Sequence, residues 1–133
     1  MVCYMENVVT LDDVHPQEVP AAEGHHRGRI WYVFNQNTIG TEGIRVHVQE
    51  YEPGGYTEGH PPHKDLEQIY YIISGTMAVH IAGKDYTAGP GSLVYIPRGA
   101  EHYHRNGEKD KLVFLTVNSP VRSGEVLPLP KRQ

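Results

Sequence analysis

The chain has 133 residues with 12 basic and 16 acidic side chains, a formal net charge of -4, nine histidines and one cysteine. This length is typical of one domain, the absence of a clustered basic face argues against nucleic-acid binding, and a single cysteine excludes an intrachain disulfide. No stretch approaches the roughly 20 apolar residues that cross a bilayer, and the N-terminus does not resemble a signal peptide, so we expect a cytoplasmic protein that binds neither nucleic acid nor membrane.

The predicted elements are short strands between turn residues. Residues 1–27 are acidic and aperiodic, and we expect them to form an N-terminal arm docked on the domain or on a partner. Apolar and β-branched segments then recur over 28–120, at residues 30–35, 44–51, 68–73, 77–82, 85–87, 93–96, 101–105 and 112–117. No window carries a capped helical period, so this pattern predicts an all-β sandwich or barrel, followed by an irregular tail at 121–133.

The segment 44–51, IRVHVQEY, alternates between apolar and polar positions and predicts one half-buried strand. Pro53-Gly54-Gly55 is expected to end it. His47 lies on the polar face of this strand and His80 on the polar face of the segment 77–82, so we expect both histidines to face solvent.

Two histidine-bearing segments point to a metal site. Residues 59–75 place several polar side chains just before an apolar strand, and a second segment, HYHRN, follows about thirty residues later. Imidazole nitrogens and side-chain oxygens from separate strands suit a first-row divalent ion. On these residues alone, a polar loop whose histidines face water is the alternative. The polar residues of the first segment are His60, His63, Asp65, Glu67 and Gln68.

The second segment carries the more specific pattern. Gly91, Pro97, Gly99, His102 and Asn106 stand at the spacing G-x5-P-x-G-x2-H-x3-N without a gap. In this pattern the chain resembles the cupin superfamily, and the resemblance covers about residues 44–118. It implies a double-stranded β-helix, or jelly-roll barrel, with His102 as a metal ligand.

The first cupin motif matches with two departures. Counting back from Gly75 places Gln68, rather than a glutamate, at the carboxylate position, and His63 then fits the second histidine of the pair. The family spacing would place the first histidine at Pro61, whereas this chain has His60. Either a local adjustment of the backbone brings His60 to the metal, which we favour, or three protein ligands and an extra water complete the site.

The resemblance therefore implies one divalent transition metal, either Mn, Fe, Ni, Co or Zn, held by His60, His63, Gln68 and His102. A set without a carboxylate keeps the full charge of the ion and favours anionic oxygen ligands. We expect an enzyme that acts on a small carboxylate or carbonyl metabolite by metal-assisted oxygenation or by isomerase or lyase chemistry. The alternative is a non-catalytic cupin that binds a small molecule.

Strand parity extends the site and suggests an assembly. Tyr70 shares a face with Gln68, and His104 shares a face with His102, so both are candidate catalytic residues. The alternative for Tyr70 is a packed barrel residue, and for His104 a residue that supports a ligand or lines the rim. Tyr71 and Tyr95 are expected on an outer face, which favours a homodimer.

Overall fold

The computed structural model describes residues 6–59 and 66–120. Two 3-10 helices, Leu11–Asp13 and Ala21–Glu23, lie in the N-terminal segment, and no helix of the described residues is long and apolar enough to cross a membrane. The expected tail at 121–133 lies outside the described residues. The strands are β1 (Gln17–Glu18), β2 (His25–Phe34), β3 (Arg45–Thr57), β4 (Leu66–Ser74), β5 (Met77–Ile81), β6 (Lys84–Ala88), β7 (Leu93–Ile96), β8 (His102–Arg105) and β9 (Leu112–Pro120).

The strands form an antiparallel barrel that confirms the all-β jelly-roll expectation. Their order is β6-β5-β8-β3-β9-β4-β7, and β2 pairs with β3 and β1. The long strand β3 joins the two halves of the barrel, because it pairs with β2 along most of its length, with β9 over its first part and with β8 near its end at Tyr56.

The prediction that Pro53-Gly54-Gly55 ends β3 is wrong. The strand continues to Thr57 because Asn106 provides backbone partners at the bend: its carbonyl oxygen accepts from Gly54 N at 2.8 Å, and its amide donates to Gly55 O at 2.8 Å. A Cβ at Gly55 would lie 2.7 Å from the carbonyl oxygen of Arg27. Glycine at this position therefore allows β2 and β3 to approach each other where the strand bends.

Alternation along β9 defines the barrel interior. Phe114 and Thr116 are fully buried, whereas Val113 and Leu115 lie on the opposite face. Alternation along β9 does not by itself decide which of these two sets is buried, and the structure turns Phe114 and Thr116 inward. The main core surrounds this interior and comprises Val19, Ile30, Tyr51, Tyr70, Ile72, Met77, Val79, Ala88, Val94, Ile96, Leu112 and Phe114.

A second, smaller core lies outside the barrel wall. Trp31, Val33 and Val48 are buried there, and Val9 and Val14 of the N-terminal segment pack against them. Docking of this segment covers the apolar face of β3, which leaves the polar face of the strand turned inward.

Of the two histidines that we expected to face solvent, His47 lies in the interior and His80 lies on the outer face. The expectation for His47 is wrong, because the polar face of β3 lines the interior once the arm covers the apolar face. His80 does lie on the outer face of β5, where its ring stacks on Tyr103 at 4.6 Å and its Nδ1 lies 2.7 Å from Asp85.

Candidate metal centre and interior pocket

His102 enters the interior at the start of β8 and is 3% exposed. The turn before it contains Gly99 at φ +81°, a left-handed conformation that glycine adopts without strain. The Nδ1 atom of His102 donates to the carbonyl oxygen of Ala100 at 3.1 Å. A carbonyl can only accept, so Nδ1 carries the proton and the ring lone pair is on Nε2. This is the tautomer of a histidine that ligates a metal through Nε2.

Asn106 fixes the other end of β8. Its Nδ2 donates to the carbonyl oxygens of Tyr51 at 3.1 Å and Asp110 at 2.8 Å, and its Oδ1 accepts from the amide of Glu108 at 3.1 Å. The side chain of Asn106 therefore binds the backbone of the turn that follows β8. The side chain is 1% exposed, so these bonds anchor the strand that carries His102 and His104.

Gln68 and Tyr70 lie on the inner face of β4. The hydroxyl of Tyr70 donates to Oε1 of Gln68 over a long contact of 3.5 Å. Burial raises the pKa of Tyr70 well above its ordinary value, so the group is a neutral hydroxyl at physiological pH. Glu67 points outward, and its Oε1 accepts from the hydroxyl of Tyr95 at 2.6 Å. Glu67 and Gln68 therefore have opposite orientations, as expected for adjacent residues of a strand.

His104 lies deep in the interior among aromatic rings and is 3% exposed. The ring centroids of Tyr51, Phe114 and Tyr70 lie 5.0, 5.2 and 5.9 Å from that of His104, all near edge-on. Its amide donates to Oγ1 of Thr57 at 2.9 Å. The two catalytic candidates, Tyr70 and His104, are therefore in contact with each other.

Several interior polar residues were missed by sequence reasoning. His25 Nδ1 lies 2.8 Å from the hydroxyl of Tyr51, which in turn accepts from Gln49 Nε2 at 3.4 Å. The hydroxyl of Thr116 donates to Oε1 of Gln49 at 3.4 Å. In the sequence, the polar face of β3 indicates these contacts, but we expected that face to meet solvent.

His47 belongs to the same interior surface. Burial, together with smaller contributions from the nearby His25 and Arg45, lowers the pKa of His47 from 6.5 to about 4, although a hydrogen bond to Gln49 acts in the opposite direction. The ring of Tyr32 lies edge-on at 6.1 Å. His47 is therefore neutral at pH 7.

The proposed ligands are only partly described. Gln68 and His102 both lie on the inner face, whereas His60 and His63 lie outside the described residues. Within residues 6–59 and 66–120, no group of three or more His, Cys, Asp or Glu side chains could hold a metal. The donor chemistry of the described pair fits a metal, because His102 is buried in the ligating tautomer and Gln68 provides an amide oxygen.

Comparison with known proteins agrees with this architecture. Residues 47–118 match the sequence profile of the family described as a cupin domain. A segment of 53 residues, 40% of this chain, is 38% identical to a 5-aminosalicylate 1,2-dioxygenase of a Comamonas species. That segment spans 14% of the length of the dioxygenase.

Solved structures share the fold. A predicted oxalate decarboxylase from Thermotoga maritima has a TM-score of 0.77 and 22% identity over 86% of this chain and 99% of that protein. The polyketide cyclase RemF from Streptomyces resistomycificus has a TM-score of 0.74 and 25% identity over 92% of this chain and 88% of that protein. The profile match covers more than half of the chain and includes His102 with its motif, and the chain therefore belongs to the cupin family.

Proposed function

We propose that this cupin is a metal-dependent enzyme that acts on a small carboxylate or carbonyl metabolite in the barrel interior. His60, His63, Gln68 and His102 would hold one divalent transition metal, either Mn, Fe, Ni, Co or Zn. The observation that carries the proposal is His102, a buried imidazole whose Nδ1 is committed to the carbonyl of Ala100. Such a bond orients the ring and is a recurring feature of metal-ligating histidines.

When bound, the metal supplies Lewis acidity toward substrate oxygen and, as Fe(II), open positions for substrate and dioxygen. The chain itself supplies the surrounding walls. Phe114, Ile72 and Met77 are fully buried at the interior and exclude water from it. The exclusion of water strengthens the electrostatic interactions between a bound anion and the polar groups of the interior.

Tyr70 and His104 are the proposed catalytic residues. Because burial raises the pKa of Tyr70, its hydroxyl holds its proton and acts as a donor, either to Gln68 or to a substrate oxygen. His104 contacts the ring of Tyr70 and orients it. These placements support a role for Tyr70 as a hydrogen-bond donor rather than a base.

Oxygenation is the reaction class that we favour, because a segment of this chain resembles a 5-aminosalicylate 1,2-dioxygenase at 38% identity. Isomerase or lyase chemistry is the second candidate, supported by the likeness to the polyketide cyclase RemF at 25% identity. The two classes differ in their use of dioxygen, which provides the test.

The test measures oxygen uptake by the full chain after reconstitution with each of the five metals, with diketones and catechol-like acids as probes. Metal-dependent uptake that is lost in His102→Ala and retained in the outer-face control His80→Ala supports an oxygenase. Conversion of a probe without oxygen uptake supports the second class. Bound metal without turnover of any probe favours the non-catalytic cupin, and equal loss in both variants contradicts the ligand assignment.

We also propose that the chain forms a homodimer through the outer face of β4 and β7. Five large side chains on this face are between 42% and 71% exposed, although the opposite face of the same strands is buried. The N-terminal segment packs elsewhere, over Trp31 and Val48, and leaves this face uncovered among the described residues. The five residues are Ile69, Tyr71, Ile73, Leu93 and Tyr95.

A further inference from the structure

A row of three polar side chains crosses the barrel wall beside the proposed metal centre. Gln68 on β4 is directly opposite Asn118 on β9, and Asn118 is directly opposite Arg45 on β3. Directly opposite residues of antiparallel strands place their side chains on the same face, with Cβ atoms about 5 Å apart. Arg45 is therefore two strands from Gln68, a distance that a small organic molecule can bridge.

Two atoms of this row are buried without a hydrogen-bond partner in the described part of the chain. They are Nε of Arg45, a donor, and Oδ1 of Asn118, an acceptor. Burial of an unsatisfied polar atom is costly, and a charged group costs more than a neutral one. Such atoms are few in native proteins, and they often mark a functional site or a position where a water, an ion or a ligand supplies the missing partner.

Arg45 and Asn118 border a cavity of about 220 Å³. Tyr32 and His47 line it together with Arg45 and Asn118, and the loop at residues 35–37 closes one side. His47 is neutral at pH 7 because its pKa is about 4, and Arg45 therefore provides the positive charge of this cavity. The cavity has the size and the charge for a small organic anion.

We propose that Arg45 and Asn118 form a subsite for a small carboxylate that carries a neighbouring hydroxyl or amino group. The carboxylate accepts hydrogen bonds from the guanidinium of Arg45, including Nε, and the hydroxyl or amino group donates to Oδ1 of Asn118. This inference rests on the proposed function, because it takes the cavity to be part of the substrate pocket. It names the substrate class of that pocket as hydroxy or amino carboxylates.

The test is a titration of the full chain with three matched probes: lactate, propionate, which lacks the hydroxyl, and lactamide, which lacks the charge. Binding is followed through the Nε–Hε NMR signal of Arg45, which is assigned by its disappearance in Arg45→Gln, and through calorimetry. The titration is run on the protein as purified and after removal of metal by a chelator, with circular dichroism as a check of folding. We expect lactate to shift the Arg45 signal and to bind more tightly than propionate or lactamide in both forms.

The variants separate a ligand-binding role from a structural one. Arg45→Gln should weaken lactate binding by about tenfold or more, the loss expected for a charge-assisted hydrogen bond. Arg45→Lys should bind with intermediate affinity because it keeps the charge and loses the fork. Arg105→Gln is the matched control, since Arg105 carries the same charge on the exposed face of β8, and it should bind lactate as the unmodified chain does.

A buried donor without a partner adds no stability, so the Tm of ligand-free Arg45→Gln should be unchanged or higher. The inference is overturned if lactate binds no more tightly than lactamide, if Arg45→Gln binds lactate as well as the unmodified chain, or if its ligand-free Tm falls by several degrees. Equal binding of lactate and propionate would overturn the role of Asn118. Absence of metal by elemental analysis, together with Arg45-dependent binding of lactate, would refute the proposed function and leave the subsite intact.

Discussion

The Nδ1 atom of His102 donates to the carbonyl oxygen of Ala100 at 3.1 Å, within the turn that precedes β8. This bond links the sequence motif to its chemistry. The glycine and proline of the motif shape the turn, the turn aims the Ala100 carbonyl, and the carbonyl selects the tautomer of the imidazole. The proposed metal centre depends on that sequence of causes.

Gln68→Glu should raise the affinity for a divalent metal by about tenfold or more, because it adds a negative charge to an otherwise neutral ligand set. A competition titration with a chromophoric chelator measures this affinity. Glu67→Gln is the matched control, since Glu67 lies on the outer face with its carboxylate bonded to Tyr95, and it should leave the affinity unchanged. If Gln68→Glu does not raise the affinity for the metal, Gln68 is not a ligand.

Tyr70→Phe should lower kcat by about tenfold or more if its hydroxyl donates to the reacting oxygen. The Tm should change little, because the contact with Gln68 is long at 3.5 Å. Because the pKa of Tyr70 is raised by burial, kcat should show no loss from its ionisation up to about pH 10, the ordinary tyrosine value. Tyr71→Phe on the outer face serves as the control, and an equal effect on kcat in both variants would refute the role of Tyr70.

Stability should fall on acidification because of His47. The pKa of His47 is about 4 in the folded chain against 6.5 for the unfolded reference, so the unfolded state binds more protons between these values. The free energy of unfolding therefore decreases as the pH falls through this window, by at most about 1.4 kcal/mol per pH unit for one proton. Urea unfolding of metal-free protein at pH 7, 6 and 5 measures the slope.

His47→Gln should flatten this dependence, since it removes the titrating group and keeps a polar side chain near Gln49. The flanking charges, His25 and Arg45, remain in the variant, so the difference between the two slopes isolates His47. Parallel slopes in the two proteins would show that His47 is not held neutral by the fold.

Replacement of Ile73 by Glu together with Leu93 by Lys should convert the proposed dimer into a monomer. Both side chains are exposed on the outer face of β4 and β7, so the charges should not disturb the core. Light scattering coupled to size exclusion measures the mass at micromolar concentration. A monomeric unmodified chain would refute the dimer, and Tyr86→Glu, at an exposed position of β6, tests whether any outer charge has the same effect.

Alternation and turn residues predicted most of the strands, because those features depend on local conformation, whereas the role of His102 was predicted from the resemblance of its motif to the cupin superfamily. The inward direction of His47, Gln49 and Arg45 was not predictable in this way. A polar strand face normally meets water, and here it lines the barrel only because Val9 and Val14 cover the apolar face from a distant segment. Similarly, Phe114 and Thr116 could not be distinguished from their neighbours by parity, since both faces of β9 are apolar.

The subsite at Arg45 and Asn118 escaped sequence reasoning for a related reason. The two residues are 73 positions apart, and only the register between β3 and β9 places them opposite each other. By contrast, Glu67 and Gln68 are adjacent in sequence, and the period of a strand was sufficient to separate the inward side chain from the outward one.

The most direct test of the proposed metal centre is a crystal structure of the full chain with an anomalous-scattering map measured at the metal edges. We predict one divalent ion in the barrel interior, bound by Nε2 of His102, Oε1 of Gln68 and the imidazoles of His60 and His63. A barrel interior without an ion, or an ion whose coordination omits His102, would contradict it.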